Sequence, residues 1–250
     1  MTVSIAFAGK GGTGKTTMAG WLVRYLVENN KIPVLAVDAD ANANFNEVLG
    51  LNVHATLGDA REQMKAGISD GMTKDMFIEM KVQQAVVESQ GFDLIVMGRP
   101  EGPGCYCAAN TLLTQFLDKL IDNYAFVVID NEAGMEHISR LTTNDVDILF
   151  VISDPTHRGI QAAARIIKLA DELKLHIEKK YLIVNLAKDG QRDALEKQAR
   201  KYGLELAGIT PEDEQVRQYD LEGKPTASLG NENRAVNAAF RTFAELLEKK

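Results

Sequence analysis

Cysteine is nearly missing from this chain: Cys105 and Cys107 are the only two among 250 residues. A disulfide closed across a single residue is strained, which argues against a structural bridge. Basic residues are also outnumbered. With 28 Lys and Arg against 35 Asp and Glu, the net charge is -7, and nonspecific DNA binding needs a basic face. No segment approaches the roughly 20 apolar residues that span a bilayer, and Met1 to Ser4 lacks a charged leader. The chain is therefore expected in the cytoplasm, with neither nucleic acid nor membrane as a partner. Thiols stay reduced there, so two neighbouring cysteines are metal ligands or redox groups before they are a disulfide.

No internal repeat or low-complexity tract interrupts the chain, and residues 1–250 are expected to form a single domain. Apolar residues make up 45% and charged residues 25%, as in a soluble protein with one substantial core. Short apolar runs alternate with helical patterns. Strands are expected at Val3–Ala8, Pro33–Asp38, Phe92–Met97, Phe126–Asp130, Ile148–Ser153, Tyr181–Asn185 and Glu205–Ile209. Most are continuous hydrophobic runs, the pattern of strands covered on both faces. Helices are expected at Lys15–Glu28, Asn110–Ile121, Gly159–Leu173, Gln191–Tyr202 and Asn231–Glu248. The last presents Val236, Ala239, Phe240, Phe243 and Leu247 as a core-packing face. Such alternation predicts an α/β fold, a doubly wound, mostly parallel sheet flanked by helices, with ligands at the carboxyl ends of the strands. Residues 52–90 are too long for a plain connection and should carry helices. Met72, Met76 and Met80 recur there every fourth residue, as on one helical face packed into the core.

Gly9 to Thr16 fits G-x-x-x-x-G-K-[ST] between an expected strand and an expected helix, the context that confirms a phosphate loop. Gly9, Gly11, Gly12, Thr13 and Gly14 allow main-chain N–H groups to turn toward phosphate oxygens, and the helix N-terminus adds its dipole. Lys15 would neutralise the β- and γ-phosphates, the Thr16 hydroxyl would hold Mg²⁺, and Thr17 continues the loop into the helix. Lys10 is a second cation at the outer lip. It is either a solvated surface lysine or a charge supplied to the phosphates of a facing subunit. The run Lys10 to Thr16 resembles the deviant Walker A of the MinD/nitrogenase iron-protein class of P-loop NTPases. That resemblance implies ATP as ligand, a dimer around two nucleotides and the second role for Lys10.

Asp38 and Asp40 close the second expected strand, where period-2 alternation puts both carboxylates on one side. In the resembling class the first acid supports Mg²⁺ and the second positions the attacking water, and the resemblance carries these roles to Asp38 and Asp40. Phe126 to Asp130 is an apolar strand closed by an acid, the Walker B arrangement, which places Asp130 near Mg²⁺. Asn131 to Gly134 would follow as a switch loop. Asn185 matches the base-recognising asparagine of the class, and Thr210 to Asp213, with Pro211 and Asp213, resembles its second base-contact loop.

Gly102, Pro103 and Gly104 shape a loop presenting Cys105 and Cys107, and in extended backbone residues i and i+2 face the same way. Two thiolates do not close a tetrahedral site. His54, His137, His157 and His176 are scattered without ligand spacing, so the missing ligands come most simply from a second copy of the chain. Four sulfurs on a two-fold axis would take Zn²⁺ in a tetrahedron or Ni²⁺ in a flattened plane. The run Met97 to Asn110, together with the loop from Gly9, resembles the nickel-insertion accessory ATPases of carbon monoxide dehydrogenase (CooC type). The resemblance implies an ATP-dependent homodimer that hydrolyses ATP, holds nickel at its interface and loads the client's nickel-iron cluster. Two alternatives remain open: a maturation ATPase for acetyl-CoA synthase, and an iron-sulfur redox ATPase like the nitrogenase iron protein.

Overall fold

A computed structural model describes residues 2–40, 44–67, 71–98, 107–131 and 145–248. Eight strands form one sheet in the order β3-β4-β2-β5-β1-β6-β7-β8. The strands are β1 (Val3–Gly9), β2 (Val34–Asp38), β3 (Val86–Glu88), β4 (Phe92–Val96), β5 (Phe126–Asp130), β6 (Asp145–Ser153), β7 (His176–Ala187) and β8 (Leu206–Pro211). All neighbours run parallel except β3, which is antiparallel to β4. The doubly wound, mostly parallel architecture is as expected, and the order reverses around β1, where such sheets open a crevice for ligands.

The helices are α1 (Lys15–Glu28), α2 (Phe45–Leu49), α3 (Leu57–Ala66), α4 (Lys74–Ala85), α5 (Cys107–Ile121), α6 (His157–Glu172), α7 (Arg192–Lys201), α8 (Glu214–Leu221) and α9 (Arg234–Leu247). Alternation along the strands sorts the core into two layers. Ile5 and Phe7 of β1 pack with α1 and α9, whereas Ala6 and Ala8 face the layer of α3 to α7. Phe150 of β6 is the hub of the first layer, with ring centroids 5.3 Å from Phe7, 6.1 Å from Tyr181 and 6.0 Å from Phe243. The apolar face of α9 packs as expected, with Val236, Ala239 and Phe243 fully buried.

Residues 52–90 do carry helices, but the methionine stripe is not their buried face. Thr73 caps α4 by accepting from Met76 N, so Met72 precedes the helix, and Met76 is 57% exposed. The buried face is Phe77, Ile78, Val82 and Ala85; Met72 and Met80 only edge against it. Replacing Phe150 with Ala leaves a cavity among three rings and should lower unfolding free energy by about 3–5 kcal/mol in denaturant titration. A loss under about 1 kcal/mol would mean that the aromatic layer collapses to fill the space.

Candidate functional site

The loop between β1 and α1 folds around one carbonyl. The Lys10 oxygen accepts from Thr13 N at 3.4 Å, Thr13 Oγ1 at 2.8 Å and Lys15 Nζ at 3.5 Å. Thr13 and Lys15 are buried, while Lys10, Gly11 and Gly12 are exposed at the lip. Two glycines are dictated by close approach. A Cβ on Gly9 would lie 2.3 Å from the Ile152 carbonyl oxygen of β6, and one on Gly14, at φ +85°, would lie 2.4 Å from Asn185 Nδ2. Asn185 is buried at the end of β7, and its amide donates to the Thr13 carbonyl at 3.0 Å. This side chain both braces the loop and faces the cavity beside it.

Two carboxylates stand behind the loop. Asp38 and Asp130 are register partners on adjacent strands, 0% and 1% exposed. Asp38 accepts from Asp40 N at 3.0 Å and Phe45 N at 2.9 Å. Burial pushes its carboxyl up to about 6 despite those hydrogen bonds, and the Asp40 charge adds to the rise. Asp130 goes further, to about 7. Burial is the main cause and the Asp38 charge adds, against a hydrogen bond from Thr16 and the Lys15 charge. The Asp130 Oδ1 atom is buried with no hydrogen-bond partner. A lone buried carboxylate oxygen beside a threonine hydroxyl is the donor set a hard divalent cation takes, so these residues fit Mg²⁺. β2 ends at Asp38, so strand alternation does not run on through Asp40, which is half-buried just beyond it.

Asn131 is fully buried, and its Nδ2 donates to the Phe7 carbonyl at 3.0 Å, stitching β5 to β1. Glu132, Ala133 and Gly134 lie outside the described residues. So does Cys105. Helix α5 starts at Cys107, three residues before the expected Asn110, so Cys107 belongs to a helical turn and not to extended backbone. Among the described residues no group of three His, Cys, Asp or Glu side chains could hold a metal.

A cavity of about 610 Å³ opens from Gly12, Gly14, Lys15, Thr16 and Thr17. Asn185, Leu186, Pro211 and Asp213 line its far end, so the structure brings the expected phosphate and base residues to one space. Asp213 is the N-cap of α8, where its Oδ1 accepts from Gln215 N, Val216 N and Asn233 Nδ2. Sequence reasoning missed α8, which supplies Val216, Arg217 and Asp220 to the wall, and α2, which supplies Glu47 and Val48. Helix α8 buries no residue fully and α2 is five residues long, so neither has a periodic apolar signature. Asp213 followed by Glu214 was the one legible sign of a helix start.

The family model described as "CobQ/CobB/MinD/ParA nucleotide binding domain" matches residues 4–226. An uncharacterized ATP-binding protein of Methanocaldococcus jannaschii is 40% identical over 98% of this chain and 99% of its own. The carbon monoxide dehydrogenase accessory protein CooC of Rhodospirillum rubrum is 34% identical over 68% of this chain and 70% of its own. Among solved structures, the MinC:MinD cell division complex of Aquifex aeolicus superposes with a TM-score of 0.75 at 20% identity, covering 100% of this chain and 97% of that one. The septum site-determining protein MinD of Pyrococcus horikoshii, complexed with Mg-ADP, gives 0.72 at 23% identity, covering 100% and 97%.

The raised carboxyls set a pH dependence. In the unfolded chain Asp titrates near 3.8, whereas Asp38 and Asp130 hold protons to about 6 and about 7 when folded. Their contribution to stability is therefore complete below about pH 4 and is lost as pH rises through the folded values. Nucleotide-free wild type should lose thermal stability from about pH 4 to about pH 7, and Asp130→Asn should flatten that slope. Equal slopes in melting curves would show that Asp130 does not carry the effect.

Proposed function

Because this chain belongs to the CobQ/CobB/MinD/ParA family of nucleotide-binding domains, we propose that it is an ATPase that delivers nickel. The observation that carries the ATPase reading is the orphaned Asp130 oxygen behind a phosphate loop, with the Thr16 hydroxyl bonded to the same carboxylate. Mg²⁺ held by Thr16, with Asp38 and Asp130 behind it, would neutralise charge on the β- and γ-phosphates. The N–H groups of Gly11 to Thr16 cradle the phosphates and Lys15 turns from the Lys10 carbonyl to the β/γ bridge. Asp40 orients the attacking water. Asn185 and the Pro211 to Asp213 loop receive the base, with Asp213 holding that loop through α8 and Asn233.

Lys10 is exposed at the lip of the loop, as a charge supplied to a facing copy would be. The delivery reading rests on Cys105 and Cys107 and on the likeness to the CooC accessory protein. Two copies supply four thiolates to one Ni²⁺, or to Zn²⁺ at the same ligands, and ATP turnover passes the metal to a nickel-iron cluster such as that of carbon monoxide dehydrogenase.

Three variants separate these roles. Lys15→Ala should weaken ATP binding at least about tenfold by calorimetry. Lys10→Ala should keep ATP affinity and lower the hydrolysis rate at least about 100-fold; unchanged turnover would end its role across the interface. Cys105→Ser with Cys107→Ser should abolish a titratable nickel site of about one ion per two chains while ATP binding persists. Nickel retained at that stoichiometry would reject the thiolate assignment.

A further inference from the structure

The sheet has one open side. β8 is its last strand, paired to β7 and to no further strand among the described residues. A cavity of about 520 Å³ follows it, lined by Ala207, Gly208, Ile209 and Pro211. Neighbouring residues of a strand face opposite sides. A space touched by both Ala207 and Gly208 therefore lies along the strand's edge, where main-chain N–H and C=O groups point outward, and not over one face of the sheet. Helix α9 walls it from one layer of the core and Arg192, opening α7, from the other.

Arginines concentrate in this groove on a chain whose net charge is -7. Arg234 and Arg241 stand two helical turns apart on the stripe of α9 that lines it, and Arg192 faces them from α7. Arg241 bonds Asn237 Oδ1 at 2.8 Å and has no carboxylate partner among the described residues. Arg234 pairs with the exposed Asp189 at 2.9 Å and the exposed Arg192 with the half-buried Glu196 at 3.1 Å, surface contacts that water weakens and a ligand can replace. Glu232 and Glu245 bracket the arginine pair along the chain, which confines the positive stretch to the middle of the groove.

We propose that β8 receives an extended acidic segment of a partner protein, which pairs with the edge as an additional parallel or antiparallel strand and meets the three arginines with its carboxylates. Main-chain hydrogen bonds supply the affinity and every second side chain the specificity. A second copy of this chain is a poor occupant, because pairing two such edges would bring like charges together. The groove shares Pro211 with the larger cavity, so the bound segment would end beside it. The inference does not rest on ATP or nickel chemistry.

The test uses the full chain without nucleotide and a labelled peptide of alternating glutamate and valine. The peptide should bind, slow amide exchange across residues 206–210, and lose at least about tenfold in affinity to Arg234→Glu with Arg241→Glu. The milder Arg241→Gln should weaken it in the same direction, and unfolding midpoints of both variants should match wild type. Four results would overturn the proposal: no binding by wild type, equal binding of the basic peptide with lysine in place of glutamate, binding without slowed exchange in β8, or full displacement by pyrophosphate, which would mark a small-anion site.

Discussion

Two buried carboxylates on neighbouring strands, Asp38 and Asp130, are the constraint around which this fold is arranged. Parallel pairing of β2 and β5 puts them at the same level, and the apolar runs behind them remove the water that would solvate their charge. The protein answers with donors where it can: two main-chain N–H groups on Asp38, Thr16 on Asp130. It leaves one oxygen unanswered. An unpaired buried charge is costly, and a structure keeps one where a ligand of opposite sign completes it. The phosphate loop, one strand away, supplies the other half of that ligand's surroundings.

The loop itself is held from three directions. The Ile152 carbonyl closes on Gly9, Asn185 closes on Gly14 and bonds Thr13, and the Lys10 carbonyl collects the loop's own donors. The first two contacts come from strand ends that the sheet order places beside β1 and one strand beyond it. The order of strands in space thus does for the loop what no local sequence feature could.

Legibility followed burial. Helix α1 begins and ends where the sequence placed it, because a left-handed Gly14 starts it and its buried face repeats through Met18, Leu22, Val23 and Leu26. Asp130 and Asn185 were readable as polar residues closing apolar strands. β3 was not, since its three residues are half exposed and give no run. β7 starts five residues before the expected Tyr181 because His176 to Lys180, although polar, pairs with β6. The methionine stripe misled for a related reason: spacing by four describes a face but does not say where the helix starts, and the Thr73 cap shifted the buried face to Phe77 and Ile78. Asp213 was singled out for base contact by likeness, while its bonds to α8 and Asn233 depend on a helix with no buried side of its own.

The hydrogen bond from Asn233 to Asp213 gives the cavity unequal rims. Asn233 also caps α9, a helix anchored in the aromatic layer, so the Asp213 rim is tied to the core. Across the opening, α2 is seated by the buried Phe45 ring, and its first amide donates to the Asp38 carboxylate, whose charge a cation or a proton can change. One rim is thus tied to a neutral amide and the other to an ionisable carboxylate, so a change of charge behind the phosphate loop bears directly on the α2 side.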